Sequence, residues 1–150
     1  MTTSLLVIIK DLLLATGLGL VIGLERKLVQ KEAGMRTFAL ICLGSALFVL
    51  IPRLMMTVGD SLVNADSIKT LSQIIGQLVV GVGFLGAGVI IFEEQSGKLR
   101  GLTTAAIMWV TAAIGAAVGV GFYSVAVVTT GLVLLINLII LPIEKRMDRN

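Results

Sequence analysis

Few side chains in this sequence could do chemistry, and their types narrow it quickly. There is no histidine, so His-ligated zinc and any triad with an imidazole base are excluded. The one cysteine, Cys42, lies in an apolar run, where it can form neither an intramolecular disulfide nor a thiolate metal cluster. Gly81-Val82-Gly83-Phe84-Leu85-Gly86 spells the G-x-G-x-x-G fingerprint of dinucleotide sites, with Gly88 just beyond. That mechanism needs a strand, a phosphate-facing helix start and an acidic residue about 20 positions on. Here Glu93 and Glu94 arrive too early and position 101 is another glycine, so no nucleotide is expected. Without a nucleophile–base pair or a Walker-type loop, no enzyme activity is expected either.

The remaining polar groups suggest binding or conduction. Glu25 closes an apolar run beside Arg26 and Lys27. It is either part of an interfacial charge cluster or a carboxylate facing into a bundle, satisfied by Arg36 of the next span. Thr37 follows Arg36 directly. Gln77 stands one helical turn before Gly81, and an amide in lipid needs partners. Arg100, Thr103 and Thr104 open a later apolar run. Thr103 is read as a helix cap, or else as part of a vestibule shared by Glu25, Arg36, Arg100 and both threonines. Asp11 is expected to pair with Lys10 at the membrane interface, with a deeper ion ligand as the alternative.

Composition says what must position these groups. The 150 residues are 57% hydrophobic and only 14% charged, against about 25% charged in soluble domains. An integral membrane protein follows, and a net charge of +3 is too small and too scattered for nucleic-acid binding. About 20 apolar residues cross a bilayer as a helix. Spans are predicted at residues 5–24, 37–56, 71–92, 102–119 and 122–141, in a single all-α transmembrane domain over 1–150. The first is not a cleaved signal peptide, because it lacks the cleavage pattern. Pro52 should kink or fray the end of the second. Residues 57–70 read as a loop, with Asp66 or Ser67 capping a short helical start. Residues 102–141 carry no charge and are about twice too long for one crossing, so they must turn back at Gly119-Val120-Gly121. Continuous apolar runs of this length exclude a β-barrel.

Basic residues then set the orientation. Arg26, Lys27, Lys31, Arg36, Lys98, Arg100, Lys145, Arg146 and Arg149 fall on one side, against Arg53 and Lys69 on the other. The positive-inside rule places the N-terminus outside and the C-terminus in the cytoplasm.

Glycines are the other conspicuous feature. Gly19 and Gly23 in the first span, and Gly115 and Gly119 in the fourth, have the spacing that lets helix backbones approach in lipid. Gly76, Gly81, Gly83, Gly86 and Gly88 crowd the third. They predict tight packing in a compact bundle. The alternative is a helix broken near Gly83 to Gly88 that offers backbone groups to an ion.

Several segments together resemble the bacterial MgtC/SapB membrane-protein family. They are GLVIGLERK, the K-x-AGMRT stretch at 31–37, CLGSALF at 42–48, QLVVGVGFLGAGVI at 77–90 and RGLTTAAIMWVTAAIGAAVG at 100–119. The resemblance covers nearly the whole chain. It implies a four- or five-span helical module in the bacterial inner membrane, often followed by a soluble cytoplasmic domain that is not expected in a chain ending at Asn150. By motif, Glu25, Arg26, Gly34, Arg36 and Thr37 match the ER and AG-x-RT elements. Gln77, Gly81, Gly83, Phe84, Gly86 and Gly88 match the glycine-rich span, and Arg100, Gly101, Thr103, Thr104, Ala105 and Ala106 the RGL-x-TAA element. The family's Asp-Pro-x-Arg element is replaced by Thr70-Leu71-Ser72-Gln73, with Asp66 and Lys69 shifted by about a turn.

The resemblance implies a link to magnesium homeostasis or stress adaptation. The leading expectation is a non-enzymatic protein that acts on other membrane components, through a membrane-protein partner or self-association within the lipid bilayer. No cofactor is expected, and magnesium enters only as a transported or sensed ion. The alternative is a small oligomeric magnesium transporter or channel. Scarce intramembrane acids argue against it, because magnesium prefers oxygen ligands and retains its waters.

Overall fold

The computed structural model describes residues 5–58, 65–93 and 98–147. They form five helices and a small hairpin: α1 Leu5–Leu28, α2 Met35–Val58, α3 Ala65–Val89, β1 Ile91–Glu93, β2 Lys98–Arg100, α4 Leu102–Val120 and α5 Tyr123–Met147. All five helices are long and apolar enough to cross a membrane. In hydrocarbon the helix satisfies every backbone group internally, which is why uninterrupted apolar runs take this form.

Several expected boundaries move. α2 runs through Pro52 to Val58. α3 starts at Ala65, so much of the stretch read as loop is helical, while residues 59–64 lie outside the described part. The Asp66 and Ser67 side chains, proposed as caps, lie outside it too. α3 also ends sooner than expected, at Val89, because the chain enters an antiparallel hairpin pairing Ile91 with Arg100, Phe92 with Leu99 and Glu93 with Lys98. The hairpin closes on Gly101, whose φ of 83° and contact with the Val89 carbonyl leave no room for a Cβ. Thr103 does not cap α4: the N-cap is Gly101, with no side-chain cap.

The turn between α4 and α5 falls where expected. Gly121 has φ 100°; its N–H bonds to Val118 O at 2.9 Å, and the Phe122 N–H bonds to Ala117 O at 2.8 Å. This is a Schellman closure, which favours glycine at the left-handed position. α1 ends the same way with Gln30 in the glycine role, at φ 54°, and Lys31 N–H bonded to Arg26 O at 3.1 Å.

α2 is clasped between α1 and α4, and α4 also packs on α3, α5 and α1. Little hydrophobic force acts between helices in lipid, so backbone approach carries the packing. A Cβ on Gly19 would stand 2.5 Å from Phe38 O, and one on Gly23 2.5 Å from Met35 Cα. On the other side of α2, a Cβ on Gly115 would overlap Cys42 O, and one on Gly119 would stand 2.6 Å from Ala46 O. These two glycine pairs seat α2 as their spacing predicted. Ala15, Ile22, Phe38, Cys42, Ala46, Met108, Ile114 and Val118 fill the core between them.

Candidate functional site

Alternation of the helices brings the start of α1, the end of α2 and the α4–α5 turn to one end of the bundle. There Asp11, fully buried, accepts a hydrogen bond from Tyr123 OH at 2.7 Å and pairs with Arg53 Nη1 at 3.5 Å. Arg53 Nη1 also donates to Gly119 O at 3.1 Å, near the carbonyl end of α4. Lys10 lies over the Tyr123 ring, 4.2 Å from its centroid. The expected Asp11–Lys10 pair is therefore not formed. Consecutive helical residues point in different directions, and Asp11 faces the bundle while Lys10 faces out.

The opposite end holds a second polar layer. Glu25 and Arg26 are both buried and pair with each other, and Asn137 Nδ2 of α5 donates to Glu25 Oε2 at 3.2 Å. The α1–α2 connection carries Glu32, whose Oε2 accepts from the buried Thr104 hydroxyl at 3.0 Å. A bond from its own backbone N–H holds the Glu32 carboxyl below its ordinary range; the Thr104 bond and the charges of Lys31 and Arg100 act in the same sense, and desolvation opposes them.

The expected vestibule forms only in part. Thr104 and Glu25 face inward at this end, and Arg100 influences Glu32 electrostatically, but Arg36, Thr37 and Thr103 are exposed. Arg36 does not satisfy Glu25, because Arg26 and Asn137 already occupy its oxygens. Sequence reasoning missed Asn137, Glu32 and Tyr123 as members, and counted Arg53 only as a topology marker. Asn137 carried a signal all the same: an amide deep in an otherwise apolar run. Among the described residues, no group of three carboxylate or thiol side chains converges as metal ligands would.

α3 departs from both expectations for its glycines. The helix is continuous through Gly83 to Gly88, so no broken segment presents backbone groups to an ion. Breaking it in lipid would leave several backbone groups unpaired, which outweighs the roughly 1 kcal/mol cost of each helical glycine. Tight packing holds only for Gly86, where a Cβ would stand 3.4 Å from Ala105 Cβ. Cβ atoms added at Gly76, Gly81, Gly83 or Gly88 would meet nothing within 4 Å. Gln73, Gln77 and Phe84 are exposed, Phe84 at 82%. Beside this face α2 and α3 diverge around a groove of about 470 Å³, walled by Phe48 and by Thr70, Gln73, Gln77, Gly81 and Leu85.

Five apolar helices, four of them tied by two buried polar layers, define a polytopic helical membrane protein. The chain matches the MgtC family model over residues 12–146, and it belongs to that family, as its motifs implied. It is 46% identical over 130 residues to Protein SrpB of Synechococcus elongatus, which covers 83% of this chain and 69% of that protein. It is 40% identical over 131 residues to Protein MgtC of Brucella abortus, covering 87% and 50% of the two chains. With Protein MgtC of Salmonella typhimurium the identity is 39% over 141 residues, covering 94% and 55%. The chain thus spans about half the length of the MgtC relatives it matches. No solved structure matches it.

Proposed function

We propose that this chain is a non-enzymatic protein of the bacterial inner membrane, linked to magnesium homeostasis or stress adaptation, that acts by binding other membrane components. Its N-terminus lies outside and the Glu25 end faces the cytoplasm, following the distribution of basic residues. The magnesium link rests on the family resemblance and on the MgtC name of the relatives. The outer face of α3 carries the interaction reading. Gln77 is nine residues after Ile68 and twelve before Val89 in that span, roughly 14 and 18 Å from its ends at 1.5 Å per residue. It therefore sits near the middle of a hydrocarbon core about 30 Å thick. It is exposed and has no hydrogen-bond partner among the described residues. An amide left unpaired in hydrocarbon costs about 4–8 kcal/mol, so a partner that pairs it and covers the adjoining glycines is strongly favoured.

The transporter alternative draws less support. α3 is unbroken, and the buried carboxylates Asp11 and Glu25 are each occupied by internal donors. A photocrosslinking residue at Val80, introduced in growing cells, tests the interaction reading. Adducts containing protein are expected, with none from Leu132 on α5. Adducts to lipid alone would overturn it. So would saturable magnesium flux into proteoliposomes that Glu25→Gln reduces, which would put the transporter in its place.

A further inference from the structure

We propose that the partner seated on α3 is a second copy of this chain, the two α3 helices crossing in parallel about a two-fold axis normal to the membrane. This rests on the interaction reading and names its occupant. Thr70, Ile74, Gln77, Gly81, Phe84 and Gly88 follow one another at alternating steps of four and three residues. That is the seam of a parallel helix pair, in which each position faces its own copy across the axis. Ile74 is half-buried and the other five are exposed, so the protomer leaves the seam largely uncovered.

Three features of the seam match a copy of itself. The Gln77 amide holds both a donor and an acceptor, so it is hydrogen-bonded by another amide at the same depth. All copies insert with the same orientation, so a second Gln77 arrives at that depth without adjustment. A single amide in such a seam also fixes register and pairing. The third feature is shape. Phe84 projects between Gly81 and Gly88, where added Cβ atoms would meet nothing. The Phe84 ring of one copy thus has the glycine hollows of the other to occupy, and the reciprocal contact follows from the two-fold axis.

The test uses the full chain, with Cys42 replaced by alanine, reconstituted in liposomes. Single cysteines at the seam positions Thr70 and Ile74, away from the glycine hollows, and, as a control, at the exposed α5 residue Leu132 are oxidised at high lipid dilution. Disulfide-linked dimers are expected from positions 70 and 74 and not from 132. Energy transfer between differently labelled copies should fall on Gln77→Leu, with the association constant dropping about tenfold. Equal cross-linking at all three positions, or none at 70 and 74, overturns the second-copy proposal. If cross-links are absent but the Val80 photocrosslinker still captures a different protein, the copy is excluded while the interaction reading stands. Adducts to lipid alone remove both.

Discussion

Replacing Asp11 by asparagine measures how firmly the Asp11 layer ties the bundle. Asp11 is fully buried, 2.7 Å from Tyr123 OH and 3.5 Å from Arg53 Nη1. A hydrogen bond to an ionised acceptor contributes about 1.5–3 kcal/mol. The Arg53 side chain is 34% exposed and at the limit of contact, so solvent screening leaves its pairing about 1 kcal/mol at most. Asparagine keeps the volume and one acceptor oxygen, so a neutral bond of about 1 kcal/mol from Tyr123 survives. Asp11→Asn should therefore lower stability by about 1–3 kcal/mol, and Tyr123→Phe by about 1.5–3 kcal/mol. Both changes act on the same bond, so the double variant should fall short of the sum by about 1–2 kcal/mol. The assay is reversible unfolding in mixed micelles on titration with sodium dodecyl sulfate, followed by Trp109 fluorescence for the four proteins. Strict additivity, or a single variant as stable as the parent, would refute the assignment of Asp11 as the shared acceptor.

Other substitutions test other links. Gly115→Ala would drive a methyl group into the Cys42 carbonyl and should cost at least about 2 kcal/mol, whereas Gly83→Ala, with open space around it, should be neutral or gain up to about 1 kcal/mol; equal effects in the same unfolding assay would refute the glycine-seated α2–α4 crossing. Asn137→Leu removes the α5 donor to Glu25 and should cost about 1 kcal/mol; an unchanged unfolding midpoint would count against that tie. Gln30→Gly should raise stability by about 0.5–1 kcal/mol, because Gln30 holds φ 54° in a turn that favours glycine; a loss would contradict the Schellman reading. Glu32 has a lowered folded-state pKa, so its contribution is present above the unfolded value near 4.5 and is lost as pH falls through the folded one. Glu32→Gln should thus be slightly less stable than the parent at pH 7, with the two converging in acid; a gap that widened as pH fell would reverse the sign.

Most of the architecture was legible because the bilayer leaves few choices. A charge-free run about twice the membrane thickness has to turn, and Gly121 is where it does. The spacing of Gly19 with Gly23 and of Gly115 with Gly119 marked the helix contacts, since a missing Cβ is the one feature that admits a neighbouring backbone in lipid. The polar layers were harder to read. Sequence distance says nothing of which side chains meet across a bundle: Asp11 and Tyr123 are brought together by helices at opposite ends of the chain, and Lys10 looked the nearer partner only along the sequence. Arg36 matched a motif, yet Gly23 packs against Gly34 and Met35 while the Arg36 side chain remains exposed. The glycines of α3 misled most, because open space and close contact leave the same residue type behind.

That ambiguity resolves once the helices are sorted by what holds them. Members of the two polar layers come from α1, α2, α4, α5 and the α1–α2 connection. Both ends of that group are thus cross-tied by hydrogen bonds whose rupture in lipid is costly, and between them glycine contacts lock α2 against α1 and α4. α3 is held differently. It rests on α4 and only lightly on α2, with Gly86 alone of its glycines in contact and a groove opening beside it. A helix bound by one side in lipid gains little from burying more aliphatic surface, since lipid tails already solvate it. What selects a neighbour for α3 is its remaining chemistry: amides that need hydrogen-bond partners and hollows that need filling. A rigid four-helix frame presenting one amide-bearing, glycine-pitted helix is suited to docking. Conduction would instead place free polar groups between the helices along a continuous path, whereas here the charged and amide groups form two layers about 21 Å apart, taking the 14 residues from Asp11 to Glu25 at 1.5 Å each, and the buried Thr111 and Thr130 hydroxyls between them donate to the Ile107 and Ala126 carbonyls of their own helices.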